Sequence, residues 1–214
     1  MLRTFTATRL TALVAIAVAG CSRPSSGEAA KADPAPSAKP VTSAPPPHED
    51  SLLEKSLKAK SMSEAIKVAT PHFEDKMNQS GDGTLMFAAW ARKSMTWSDV
   101  AVEKDETSYA LVMKDAEEER GKRLCVPGNI IEIEVMKSDI GKVHDGLLSS
   151  DARNLFKFIA VGSTGKLVER SRTRFCGVVT GRFDYSNSGG GTGHAVKMVG
   201  MFDLPENKSP TAAL

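Results

Sequence analysis

Catalysis and metal binding need particular side chains at particular spacings, and this 214-residue chain offers few of them. Three of its histidines, His72, His144 and His194, lie in stretches able to fold, and none has a second ligand at zinc spacing. His48 sits among prolines as a solvated side chain. Asn78 to Gly83 (NQSGDG) hints at a calcium loop but lacks the spaced acidic ligands and the closing Glu. The Gly-rich run Ser188 to Gly193 (SGGGTG) lacks the Lys-Ser/Thr of a phosphate-cradling loop, and no G-x-S-x-G elbow occurs. Asp184 and His194 flank that run and could meet at its base, an acid–base pair without a nucleophile. No catalytic residue, metal or cofactor is expected.

Arginine supplies the pattern with most chemical content. Arg170, Arg172 and Arg174 alternate and so share one face of a strand, and Lys157 and Arg182 extend the stripe. These five are the candidate ligand face, suited to phosphate, lipid headgroup or acidic glycan. The competing reading is a solvated strand face that discourages edge pairing. Phe156, Phe158, Phe175 and Phe183 offer stacking platforms or barrel core.

The amino terminus has the form of a targeting segment. Arg3 and Arg9 precede the apolar run Leu10 to Ala19, which is too short to span a bilayer as a stable helix. Val18-Ala19-Gly20-Cys21 resembles the bacterial lipobox, which implies cleavage before Cys21 and its lipidation. Ser22 at the second mature position favours the outer membrane by resemblance to the enteric sorting rule. Without Arg3 and Arg9 the mature chain carries 26 basic and 26 acidic residues, which argues against a nucleic-acid partner. Residues 22–50 are rich in Pro, Ala and Ser and predict a disordered tether.

The elements that position everything else begin at Ser51. Ser51 to Glu54 and Ser61 to Glu64 have the form of capping boxes, and Thr96 to Asp99 looks like another cap. Thr70-Pro71 starts a further predicted helix that Gly81 can close. Asp82 or Thr84 starts the next, whose apolar stripe of Leu85, Phe87, Ala88, Trp90 and Ala91 runs to Lys93. Trp90 and Trp97 read as packing anchors. Thr107 opens a helical stretch with Tyr109, Val112, Met113 and Ala116 on one face, stopped by Gly121.

From Gly121 the period becomes two. Ile131, Ile133 and Val135 alternate with Glu132 and Glu134, and Pro127-Gly128 just before them suits a bulge or sharp bend. Further strands are predicted at 141–148, 155–161, 174–183 and 195–202. The segments GKRLCVPGNIIEIEV, LFKFIAV and SRTRFCGVVTGRF resemble the OB-fold domains grouped as anticodon-binding-like, which recur in bacterial lipoproteins. That resemblance covers about 108–202. It implies a mainly β fold, a five-stranded OB-like Greek-key barrel preceded by several short helices, and a binding habit without a fixed ligand. It also implies that the first and fourth barrel strands are antiparallel neighbours, which would bring Cys125 and Cys176 side by side. With Cys21 lipidated they form an even pair in an oxidising compartment, disulfide-bonded if the register allows and otherwise two buried thiols.

The expected organisation is a leader (1–20), a lipidated Cys21 with its tether (21–50), a short-helix region (51–106), an OB-like barrel with helical lead-in (107–204) and a flexible tail (205–214). The expected function is a lipid-anchored, non-enzymatic binding or structural module of the bacterial envelope, facing the periplasm from the outer membrane. Its partners would be the membrane through the lipid and an envelope protein or glycan. The alternatives are an oligonucleotide-binding OB domain and a small hydrolase using Asp184 and His194.

Overall fold

The computed structural model describes residues 51–138, 141–187 and 189–209. The leader, Cys21, the tether and 210–214 lie outside the described residues. Local capping chemistry sets the first helices. Ser51 starts α1 (Leu52–Leu57) with a complete capping box, its hydroxyl accepting from the Glu54 N–H while Glu54 accepts from the Ser51 N–H. Ser61 caps α2 (Met62–Ala69), and Thr96 forms a second full box with Asp99 at α4 (Trp97–Val100). Between these lies α3 (Asp82–Ser94), whose Phe87, Ala88, Trp90 and Ala91 are buried.

The helix expected from Pro71 to Gly81 does not form. Thr70–His72 make a single 3-10 turn, after which β1 (Asp75–Lys76) and β2 (Gln79–Ser80) pair as a small hairpin. Phe73 turns extended and buries its ring, and Asn78 takes a left-handed φ of 56° at the turn, a conformation Asn tolerates. The stretch after Thr107 is likewise divided. Ser108 caps α5 (Tyr109–Lys114), and Asp115 ends it by capping α6 (Ala116–Glu119).

Five strands follow: β3 (Arg123–Ser138), β4 (Gly141–Ser150), β5 (Leu155–Ala160), β6 (Arg172–Ser186) and β7 (Thr192–Phe202). They pair in the order β3-β4-β5-β7-β6 and back to β3, so the sheet closes on itself. All pairs are antiparallel except β5 with β7. Closure depends on β3 changing partners along its length. Arg123 to Asn129 pair with β6, and Gly128 onward pairs with β4. Gly128 sits at the exchange, where a Cβ would lie 2.3 Å from the Ser149 carbonyl oxygen, so only glycine allows the approach. The β3 register shift itself falls slightly later, between Ile130 and Glu132.

Alternation then divides the barrel residues between two cores. Leu124, Val126, Ile130, Leu148, Phe156, Phe158, Phe175, Met198 and Phe202 fill the interior, and Val112 of α5 joins them. Phe158, Phe175 and Phe202 pack with centroids 5.1 to 5.4 Å apart, so the phenylalanines other than Phe183 are core rather than platforms. The outward set, including Val143, Ile159, Cys176, Val178, Val199 and Met201, is covered by Phe73, Phe87, Ala88, Trp90 and Val100. The short-helix region and the barrel therefore share a core.

Cys125 and Cys176 are register partners on β3 and β6, with Cα atoms 4.1 Å apart, and they form a disulfide. After β7, Pro205–Lys208 form a short helix, α7, instead of the expected loose tail. Asn207 anchors it. Its amide nitrogen donates to the Ser163 and Phe202 carbonyls at 2.9 and 2.8 Å, and its oxygen accepts from the Ser163 N–H at 2.7 Å.

Candidate functional site

The predicted basic stripe divides into two places. Arg172 and Arg174 pair with Asn129 and Pro127 at one end of β6 and are exposed. Arg170 precedes them with a φ of +67°, its N–H donating to the Ile130 carbonyl at 2.8 Å. Arg182 leaves this face. Between Val179 and Gly181 the β6 register shifts by one residue, placing Gly181 opposite Lys197 and Arg182 opposite Val196. A one-residue bulge inverts the alternation, so Arg182 lies on the opposite face from Arg172 and Arg174. Gly181 accommodates the bulge with a φ of +139°. Arg182 then holds Asp184 through Nε–Oδ1 and Nη2–Oδ2 contacts of 2.9 and 3.2 Å.

Lys157 faces outward beside Lys197, its parallel-strand partner. Its Nζ donates to Asp145 Oδ2 at 2.6 Å and lies 5.4 Å from the Phe183 ring centroid. These three residues form the floor of a cleft of about 280 Å³. Leu85 and Met136 add apolar wall, and Asn78, Gln79 and Ser80 of the β1–β2 hairpin form the rim. Asp145 Oδ1 is buried and, among the described residues, has no donor. Burial pushes the Asp145 carboxyl up from the usual range, with Lys157 pulling against it.

The hairpin is held over this surface by polar contacts that no local signal announces. Asn78 N–H donates to the Asp184 carbonyl at 2.7 Å, and its Oδ1 accepts from the Ser186 N–H at 3.2 Å. Asp75 Oδ1 accepts from the Arg182 N–H at 2.8 Å, and Arg120 pairs with the other oxygen at 3.3 Å. Beneath lies Lys197, fully buried, donating to the Glu74 carbonyl at 2.7 Å. Burial lowers its pKa to about 8, with Asp75 opposing and Arg120 reinforcing the shift.

No family model matches this chain, and no curated protein is significantly similar to it. The site has to be read from its own geometry. Asp184 and His194 do meet, as cross-strand partners with Nδ1–Oδ1 2.6 Å. Burial raises the Asp184 pKa, but His194 and Arg182 outweigh it and hold the carboxyl below its usual range. The carboxylate is thus shared between the Arg182 guanidinium and the His194 ring, an arrangement that fixes the end of the β6–β7 hairpin. No cluster of three metal-ligating side chains occurs among the described residues.

Sequence reasoning missed Asp145, Lys197 and the hairpin rim. A signal existed for Lys197. It stands in the column Ala195, Lys197, Val199, Met201, whose apolar members show that the outward face of β7 is covered. Asp145 had none, because the cleft is made by a hairpin about seventy residues away.

Proposed function

We propose that this chain is a lipid-anchored, non-enzymatic module of the bacterial cell envelope, whose barrel holds an uncharged, donor-bearing group of a glycan or protein in the Asp145–Lys157 cleft. The barrel is read as OB type. That reading is supported by the ring order β3-β4-β5-β7-β6, the parallel β5–β7 pair, and a bent first strand shared by β4 and β6. The lipobox-like Val18 to Cys21 supports anchorage, and the Cys125–Cys176 bond suits an oxidising compartment.

The observation that carries the ligand reading is the Asp145–Lys157 pair at the cleft floor, where the Asp145 carboxylate keeps part of its surface open beside the Phe183 ring. A hydrogen bond from a ligand hydroxyl or amide N–H to a charged carboxylate is worth about 1.5–3 kcal/mol. Lys157 already neutralises the carboxylate, so a cationic ligand gains little there. Calorimetric titration of the full chain with neutral oligosaccharides, peptidoglycan fragments and short peptides tests this. Saturable binding by one class is expected, weakened about tenfold or more by Asp145→Asn. Binding that Asp145→Asn leaves unchanged, or no binding across the panel, removes the reading. A preference for oligonucleotides with a steep salt dependence would instead favour the nucleic-acid alternative.

A further inference from the structure

The exposed end of the β3–β6 pair has the chemistry of a membrane-contact surface, and we propose that it docks on the anionic headgroups of a lipid bilayer. Its partner choice shares with the reading above only the anchorage. Hydrogen bonds from the Arg170 N–H to the Ile130 carbonyl (2.8 Å) and from the Ile130 N–H to the Ser171 carbonyl (3.0 Å) prolong the β3–β6 pairing beyond Asn129–Arg172. Arg170 and Ser171 thus both oppose Ile130, a bulge with Arg170 in the left-handed region, while Asn129 lies beside Arg172 and Pro127 beside Arg174. Arg172 and Arg174, two apart on the strand, stand about 6.5 Å apart on one face, and Arg170 leads into them from the preceding turn.

Two large apolar side chains next to these residues in the chain are exposed, Ile131 at 46% and Val168 at 62%. Arg153 and Lys166 on the adjoining connections are exposed as well. Asp151 is used by Arg172, through paired contacts of 2.8 and 2.9 Å, and Glu169 is the other acidic residue on these connections. Among the described residues Arg170, Arg174, Arg153 and Lys166 have no ionic partner. The mature chain is formally neutral, so this surplus is a local segregation of charge.

A bilayer fits this surface better than a soluble anion does. Exposed Ile131 and Val168 gain nothing from a phosphate in water but can enter the headgroup boundary, while the arginines remain at phosphate depth. The chain from Cys21 to Ser51 reaches at most on the order of 100 Å, so a lipid on Cys21 would keep the surface at high effective concentration over the membrane.

The test uses the full chain reconstituted on vesicles of phosphatidylcholine alone or mixed equally with phosphatidylglycerol. An environment-sensitive fluorescent amino acid replaces Val168, or Asn187 at the far end of β6, and brominated lipids quench it. Quenching is expected at 168 and not at 187, only with phosphatidylglycerol, and reduced by salt. Arg170→Gln with Arg174→Gln, which spares the Arg172–Asp151 pair, should lower the docked-to-undocked ratio about thirtyfold. Equal quenching at both positions, no need for phosphatidylglycerol, or full quenching in the double variant overturns the proposal. So does a stronger response of the 168 probe to single-stranded oligonucleotide than to vesicles at equal phosphate. A chain that fails to float with phosphatidylcholine vesicles refutes the anchorage alone, because the 168 probe still reads docking on the mixed vesicles at low salt.

Discussion

Lys197 is a fully buried cation in a barrel of marginal size, and its titration should be visible in the stability of the whole protein. Burial is the largest influence and lowers its pKa from 10.5 to about 8. Above pH 8 the folded state releases this proton while the unfolded chain still holds it. The unfolded state then binds more protons, and stability rises with pH until about 10.5. For pKa values of about 8 and 10.5 the linkage relation gives a gain of about 2 kcal/mol between pH 7 and pH 9.5. Other lysines and tyrosines titrate in the same window, so the comparison must be with Lys197→Met, which keeps the stem and removes the charge. Urea unfolding of both proteins, each carrying Cys21→Ser so that no free thiol promotes exchange, measures the difference at several pH values. The wild type should gain about 2 kcal/mol on the variant by pH 9.5, with most of the change above pH 8. A pH-independent difference would show that Lys197 keeps its proton in the fold, and that the Asp75, Glu74 and Asp184 charges outweigh its burial.

Unfolded, unreduced Cys21→Ser protein should show no reactive thiol, and reduction should cost about 3–4 kcal/mol for a separation of 51 residues; two thiols before reduction would contradict the bond. Gly200→Ala should lose about 2 kcal/mol or more, because its Cβ would lie 2.1 Å from the Cys176 carbonyl oxygen and 2.5 Å from the Gly177 Cα; an unchanged thermal midpoint would refute that packing. Radiolabelled palmitate should enter the wild type in cells and not Cys21→Ser, and equal labelling would remove the lipid anchor.

What was legible in the sequence is what short-range physics decides. The Ser51–Glu54 and Thr96–Asp99 boxes form because each satisfies its own helix end within four residues. The strands were legible from alternation, and the Cys125–Cys176 pairing from the resemblance that set β3 beside β6. The segment 71–81 was not, because its local helix signal competes with contacts to β6 roughly a hundred residues later. Asp75 takes the Arg182 N–H, while Asn78 gives its own N–H to the Asp184 carbonyl and takes the Ser186 N–H on its side chain, so the hairpin covers an otherwise unpaired strand edge. The basic stripe failed for a related reason. Simple alternation carries Arg182 onto the face of Arg174, and one inserted residue at Thr180 moves it off.

That same bulge separates the two surfaces proposed to bind. Arg174 and Phe183 lie nine residues apart on β6, about 30 Å along a strand, and the disulfide and the Gly177–Gly200 crossing stand between them. A ligand in the cleft touches Asp145, Lys157 and the hairpin, none of which shares a partner with Arg170 or Arg174. Side chains this far apart couple weakly, so their effects should add within about 0.5 kcal/mol. Cleft binding should therefore be the same for the chain docked on phosphatidylglycerol vesicles and free of them. Asp145→Asn combined with Arg170→Gln and Arg174→Gln should lose each activity by the amount its own substitutions cause. A cleft affinity that changes several-fold on docking would mean that β6 transmits between its ends, with the bulge at Gly181, the point where the hairpin is pinned, as the place to look for a second conformation.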